Sequence, residues 1–545
     1  MPARRPADSS RSILKRFFYF ILLLALLTTT AWEQEPAPTT PPPQVGAEPS
    51  EASPAQQPPG PSTPPSPPQP AASSQQQVPG AGIAVQEKPQ QPAPAQKPEE
   101  APPGPITKQQ AKELFRSVDQ ILQFASDDTG LPIKHSVKRK LITRRSVEDY
   151  VEKRIREDKD TQKLERSQAI LVKFGLLPPN YDLQTEYLDL LREQVAAFYD
   201  PGTRTVNLLD WVAPDQQKPV LAHELTHALQ DQKIGLEKWE LAGTKDDKPL
   251  PDNQEEVVEE AEAAREAVLE GQAMIVFLDY SLAPLGVNVL KAPDVVDAMR
   301  SEMGKGQDSP LFSAAPMYLQ ESMIMPYTFG TDFERYVLEH GGKDAAFEGV
   351  LDDPPVDTRQ IMEPETYLAH DVVPPIKIPD LDKLVGSQYE RYDFGGMGEF
   401  DVYLLMKQYA PDEDPKNVYT HWRGGYYLVS HAKTAPKDQV AMLYLSRWDS
   451  PEAAEAFAKI YAAYTPKRYP GWPKDVSAPV AEAGGPGIST WWRGPESNRV
   501  YIDQNGKDLL ILESFDEATV KRLSAALLQS GSPEETHHSS SRQSQ

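Results

Sequence analysis

Apolar residues return every three to four positions from Lys108 to Phe124 (Ala111, Leu114, Phe115, Val118, Ile121, Leu122). That spacing predicts an amphipathic helix, and helical spacing continues to about Phe174. The period then changes. Val195 to Tyr199 and Thr203 to Leu209 flank Asp200-Pro201-Gly202, the pattern of a β-hairpin. A helix follows, starting between Asp215 and Pro219, with Leu221, Leu225, Ala228 and Leu229 on its apolar side. A second long helix is predicted from about Gln254 to Tyr280, and shorter elements punctuated by Gly and Pro over residues 311–385.

Beyond Val385 the pattern turns to strands. Gly425 to His431 and Val440 to Arg447 read as strands, and Pro451 to Tyr464 as a helix capped by Ser450 or Asp449. Asn505-Gly506 between Arg499–Asp503 and Asp508–Leu512 signals a tight hairpin. Phe515 to Leu528 is a last helix. The class is α+β: a mostly helical domain with a small hairpin or sheet over residues 106–385, then a smaller α+β domain over 386–530.

The ends read differently. Basic residues (Arg4, Arg5, Arg11, Lys15, Arg16) precede an apolar run from Phe17 to Leu27. Residues 1–32 are a signal peptide or, stretched through Trp32, a membrane anchor over residues 13–32 with its basic end in the cytoplasm. Either way the product is expected to be exported, periplasmic or extracellular, or held at the inner membrane by an uncleaved segment. Residues 33–105 carry much of the chain's 55 prolines and almost no aromatic residue, so they form a disordered spacer. Residues 531–545 are a polar, disordered tail.

Charge and cysteine content narrow the chemistry. A formal net charge of −24 argues against nucleic acid, whose phosphates require Lys/Arg surfaces. The chain has no cysteine, hence no disulfide, thiolate nucleophile, thiolate ligand or lipid-bearing cysteine. A transition-metal site must therefore use histidine and carboxylate.

Residues 221–232, LAHELTHALQDQ, supply such groups. His223 and His227 lie one helical turn apart and can point two imidazoles at one ion. Glu224, about 100° around the helix, reaches the water at such an ion instead of the ion itself. With cysteine absent, the third ligand is His, Asp or Glu. His340, His370, His421 and His431 are scattered without helical pairing. The segment REAVLEGQAMIVF instead sets Glu266 and Glu270 one turn apart among Ala264, Val268, Ala273 and Phe277, where a carboxylate is costly unless paired. Gly271 follows Glu270 in mid-helix and points to close approach of another backbone or an ion. Glu270 is the favoured third ligand, with Glu266 second.

These residues resemble the gluzincin group of zinc metallopeptidases, in which two histidines on one helix and a glutamate on a later one hold the metal. More narrowly, AFYDPGTRTVNLL, MPYTFGTDF and PPVDTRQIMEPETYL are similar to segments of an exported, largely uncharacterised bacterial and archaeal family of that group. The resemblance spans about residues 106–530 and is most specific over 194–274. It implies a zincin-like catalytic domain, one Zn²⁺ per chain held by His223, His227 and Glu270, and Glu224 as catalytic base on protein or peptide substrates. The chain departs from the thermolysin-like pattern at Met274, where those enzymes carry an aspartate. Asp231, on the face of both histidines, is a candidate to orient one of them.

Tyr327, expected in a Pro-Tyr-Thr-Phe-Gly turn, is the leading donor to a reaction oxyanion, followed by Tyr199 and Tyr280. The hairpin offers an edge strand for a peptide, either Val195–Tyr199 or Thr205–Leu209. A competing reading rests on Trp422, Trp448, Trp491 and Trp492: a non-catalytic envelope binding protein whose second domain offers exposed aromatics.

Overall fold

The longest helices of the chain pack on one another before any sheet of size appears. In the computed structural model, residues 105–147, 149, 161–193, 197–240, 252–298, 309–436, 439–469, 480–481, 489–493 and 499–528 are described. The basic-apolar start, the Pro-rich stretch through residue 104 and the tail beyond 528 lie outside the described residues.

Helix α1 (Lys108–Thr129) opens on a capping box between Thr107 and Gln110 and ends at Gly130 in the left-handed region. Its Leu114, Val118, Ile121 and Leu122 are buried, as the spacing requires. Strand β1 (Lys138–Ile142) follows, inside a stretch expected to be helical. Lys138-Arg139-Lys140 gives no apolar alternation, and the strand exists because it pairs in parallel with β3. Helices α2 (Thr161–Phe174) and α3 (Leu183–Glu193) lead to the hairpin of β2 (Phe198–Asp200) and β3 (Thr205–Leu209). The small sheet has the order β1-β3-β2, so β3 is paired on both sides. Of the two strands considered as a peptide edge, only β2 keeps an outer edge.

Helix α4 (Pro214–Ile234) carries the HELTH motif, and every residue from Val220 to Gln230 is buried. Helix α5 (Asp252–Leu282) extends the expected second helix at both ends. Within Val258–Leu285 it and the turn after it are apolar enough to cross a membrane, yet 72% of the most apolar 18 residues there is buried in the protein, as in a core helix. Helix α6 (Met317–Asp344, kinked at Gly342) corrects the expectation of short broken elements over its own length, since Pro326 and Gly330 both lie inside it. The rest of residues 311–385 does form short helices, such as Thr358–Met362 and Pro364–Leu368. The tight partner of α6 is α5. A Cβ on Gly271 would stand 2.2 Å from the Gly330 carbonyl oxygen, and one on Gly330 would stand 2.1 Å from that of Ala267. The close approach anticipated at Gly271 is thus made by another backbone.

The remainder builds a seven-stranded antiparallel sheet in the order β4-β5-β6-β10-β9-β8-β7. Its strands are β4 (Tyr389–Gly396), β5 (Trp422–Ala432), β6 (Val440–Trp448), β7 (Val480–Ala481), β8 (Ser489–Arg493), β9 (Arg499–Asn505) and β10 (Asp508–Glu513). The tight β9–β10 hairpin forms where Asn505-Gly506 signalled one, but not as the type I′ turn that dipeptide suggests: Asn505 pairs with Asp508, the loop is Gly506-Lys507, and only Gly506 has positive φ. Helices α7 (Glu399–Tyr409), α8 (Pro451–Arg468) and α9 (Glu517–Leu528) cover the sheet. Alternate residues face opposite layers. Met442, Tyr444, Leu509 and Ile511 join the core with Phe174, Phe457 and Tyr461, whereas Leu443, Leu445, Leu510 and Leu512 join Leu381, Val520 and Leu523.

The boundary expected at residue 385 falls at the end of a short helix, Leu381–Val385. It is no gap in packing, because one core cluster runs from Leu114 to Ile511. A buried ionic knot strengthens the seam: Arg468 lies 2.6 Å from Glu513, and Lys173 of α2 lies 3.8 Å from it. Tyr461 and Tyr469 donate to the same carboxylate.

Candidate metal centre

The three predicted ligands meet. His223 Nε2 lies 3.1 Å from His227 Nε2 and 3.1 Å from Glu270 Oε2, and His227 Nε2 lies 3.5 Å from the same oxygen. All three residues are buried, Glu270 to 1% exposure. Ligand atoms held about 2.0–2.2 Å from one ion at tetrahedral angles stand roughly 3.3–3.6 Å apart, close to this triangle. The Glu270 oxygens have both imidazoles and the Tyr327 hydroxyl for neighbours, but none of these makes a well-aligned hydrogen bond to them. A buried carboxylate without such bonds costs several kcal/mol, about the penalty that a cation would remove. The group can hold a metal ion.

Each ligand is placed by a different local cause. The i, i+4 spacing on α4 brings the imidazoles together, with ring centroids 4.7 Å apart. The Gly271–Gly330 crossing locks α5 against α6 beside Glu270. Glu266, the second choice for third ligand, is not in the group; it borders a cavity of about 100 Å³ shared with Glu259, Tyr318, Met325 and Phe400. His340 bonds the Tyr336 carbonyl and His421 bonds Asp449, so neither competes.

Glu224 is buried, and its Oε2 accepts from the Tyr199 N–H at 2.7 Å. Gln217 makes this contact possible by pinning the hairpin to α4: it accepts from Leu209 N at 3.0 Å and donates to Leu209 O at 2.9 Å. Burial pushes the Glu224 carboxyl up to about 8, against the lowering effects of His227 and the Tyr199 N–H. Burial also works on the ligands. It lowers His223, while His227 is driven up because Glu270 outweighs burial there. Glu270 itself is held low by the imidazoles despite its burial.

Tyr327 lies at the centre, though not in a turn. It sits within α6, its ring 6.2 Å from that of His223 and tilted by 20°. Burial, then the carboxylates Glu270, Glu266 and Glu224, raise its hydroxyl well above the usual range, so it stays a proton donor. Tyr199 spends its hydroxyl on Asp231 at 2.9 Å, and Tyr280 packs edge-on against Phe124. Asp231 also accepts from Leu236 N. It therefore braces the hairpin and the helix end, not a histidine.

The side chain that does bond one of the two imidazoles is Gln230, whose Oε1 lies 2.8 Å from His227 Nδ1. Its i+3 position relative to His227 was visible in the sequence. Its own partner, Gln272, was not, because that contact depends on how α5 crosses α4.

Comparison with known proteins adds one finding. The family model described as Domain of unknown function (DUF8575) matches residues 387–524, the sheet portion, which contains none of His223, Glu224, His227 or Glu270. No curated protein and no solved structure matches the chain.

Proposed function

We propose that the chain is a zincin-like, gluzincin-type zinc peptidase acting outside the cytoplasm on protein or peptide substrates. The observation that carries this reading is the convergence of His223, His227 and Glu270 with Glu224 buried beside them. Two imidazoles and one carboxylate make a donor set that suits zinc and leaves a fourth position open. Zinc bound there supplies Lewis acidity and lowers the pKa of water toward 7.

The chain's own residues do the rest. With a zinc ion at the site, the Glu224 carboxyl would be drawn down from its raised value. Glu224, with Oε2 tied to Tyr199 N–H, would then offer Oε1 to take the proton of the attacking water and return it to the leaving amine. Tyr327 remains protonated and donates to the developing oxyanion. Export is supported by the basic start and the apolar run from Phe17 to Leu27.

The aromatic binding-protein reading loses half its basis. Trp422 and Trp448 are 2% and 0% exposed, filling the core, and the side chains of Trp491 and Trp492 lie outside the described residues.

The test is Glu224→Gln in the zinc-loaded protein. Zinc content should stay at one per chain while hydrolysis of unfolded protein substrates falls by at least about 100-fold, the usual scale of a lost acid–base group. Undiminished hydrolysis would remove Glu224 from its role. Absence of zinc from the wild-type protein would remove the reading altogether.

A further inference from the structure

A π-helical turn, Ala345–Gly349, follows α6, and two glutamines join its carbonyls to the metal centre. Gln272 Nε2 lies 2.8 Å from the Ala346 carbonyl and 3.1 Å from that of Phe347. Gln272 Oε1 lies 2.9 Å from Gln230 Nε2, which is also 3.1 Å from the Leu269 carbonyl. Gln230 Oε1 then meets His227 Nδ1 at 2.8 Å. Both glutamines are fully buried, so water does not compete for these bonds.

The direction of this chain is forced at its far end. A carbonyl oxygen only accepts, so Gln272 must turn its NH₂ to the π turn and its oxygen to Gln230. Gln230 must then donate to Gln272 and Leu269, which leaves only its oxygen for the imidazole. His227 must therefore carry a proton on Nδ1, and its lone pair falls on Nε2, the atom that faces His223 and Glu270. Glu334, buried on α6 near Gln272, does not change this direction, since the amide NH₂ already donates to two carbonyls. His223 has no side-chain partner of this kind: its Nδ1 makes no aligned hydrogen bond, and the backbone acceptor near the ring is that of Ala273, on α5.

We infer that the π turn positions the metal ligand His227, acting through Gln272 and Gln230 to fix the ring proton on Nδ1 and present Nε2 to the ion. Gln230 and Gln272 are thus positioning residues. The inference rests on the reading of His223, His227 and Glu270 as a metal site. It differs from a purely structural role in a specific way. A packing role would tie stability to these amides, whereas a relay ties the state of one imidazole to an amide on a different helix.

The experiment uses the full chain loaded with zinc, zinc affinity from chelator competition, and imidazole ¹H–¹⁵N spectra. Wild-type protein should show a slowly exchanging Nδ1–H on His227. Gln272→Met keeps the length of the side chain and removes its hydrogen bonds. It should speed exchange of that proton and weaken zinc about 10- to 100-fold, the range for loss of a group that orients a ligand. The His223 signals should stay in place. Gln230→Met should act likewise, whereas Gln230→Glu keeps an acceptor at Nδ1 and should retain the His227 proton. An unchanged His227 proton and zinc affinity in both methionine variants would overturn the inference, as would wild-type His227 protonated on Nε2 with zinc bound. Should Gln272→Met fail to fold, the Gln230→Met and Gln230→Glu pair decides. If wild-type protein takes up no zinc, the metal reading fails on its own. The Nδ1–H of His227 in metal-free wild type and Gln230→Met then still decides the relay.

Discussion

Replacing Gly271 with alanine should be among the costliest single-methyl additions to this core. The new Cβ would lie 2.2 Å from the Gly330 carbonyl oxygen and 2.4 Å from its carbon, where real Cβ atoms essentially never come within 3.0 Å. Both obstacles are backbone, so no side chain can swing aside, and α5 and α6 must part by roughly 1 Å. A gap of that size forfeits about a quarter to a half of each dispersion contact across it; for about 40 contacts of about 0.15 kcal/mol, the loss is about 2 kcal/mol. Residual strain adds about 1–2 kcal/mol. Alanine's better helix propensity returns about 1 kcal/mol, leaving a net loss of about 2–3 kcal/mol. Urea unfolding followed by circular dichroism should show this as a lower midpoint with an unchanged slope. Gly330→Ala should behave alike, since its Cβ would meet the Ala267 oxygen at 2.1 Å. The double variant should lose less than the sum, because one parting of the helices accommodates both methyl groups. A loss below about 0.5 kcal/mol for Gly271→Ala, or strict additivity of the pair, would refute this account of the crossing.

Three other outcomes are expected. Tyr327→Phe should leave zinc content intact and lower kcat by about 100- to 1000-fold with little change in KM, because the hydroxyl is needed at the oxyanion and not in the ground state; an equal kcat would exclude that role. Glu513→Gln should destabilise by about 3–5 kcal/mol in urea unfolding, because Arg468 and Lys173 would be left buried without their carboxylate. Burial, only partly offset by Glu513, lowers Lys173 to about 8 from its ordinary 10.5. Between those values the unfolded chain binds a proton that the folded one does not, so this residue makes stability rise with pH from about 8 to 10.5. Lys173→Met should abolish that rise, and an identical pH slope in both proteins would contradict it.

Features coded by local spacing were legible in the sequence. His223 and His227 needed only the period of a helix. With cysteine absent, an apolar setting pointed to Glu266 and Glu270 alike, and Gly271 favoured Glu270, although that glycine makes room for the Gly330 backbone. Asn505-Gly506 declared its hairpin in the same local way. What failed was decided by distant partners. Lys138–Ile142 is a strand only because β3 lies beside it, 67 residues further on (Lys138 pairs with Thr205). Pro326 and Gly330 read as breakers because a lone helix would suffer from both. In the fold, Gly330 is where α5 must pass, so the residue that weakens the isolated helix permits the packed one.

The same contrast applies within the site. Its ligands come from short motifs, whereas the groups that hold them still are spread over the chain: Tyr199 for Glu224, Gln272 and the Ala346 and Phe347 carbonyls for His227. A mutational search confined to the HELTH helix would therefore find the chemistry and miss its support. Gln272 makes the point, because it lies two residues after the ligand Glu270 yet serves a histidine on another helix. Its amide must face the π turn to do so, and that turn lies beyond α6. Ligand identity is thus a local property of this sequence, and ligand orientation is a property of the crossing of α4, α5 and α6.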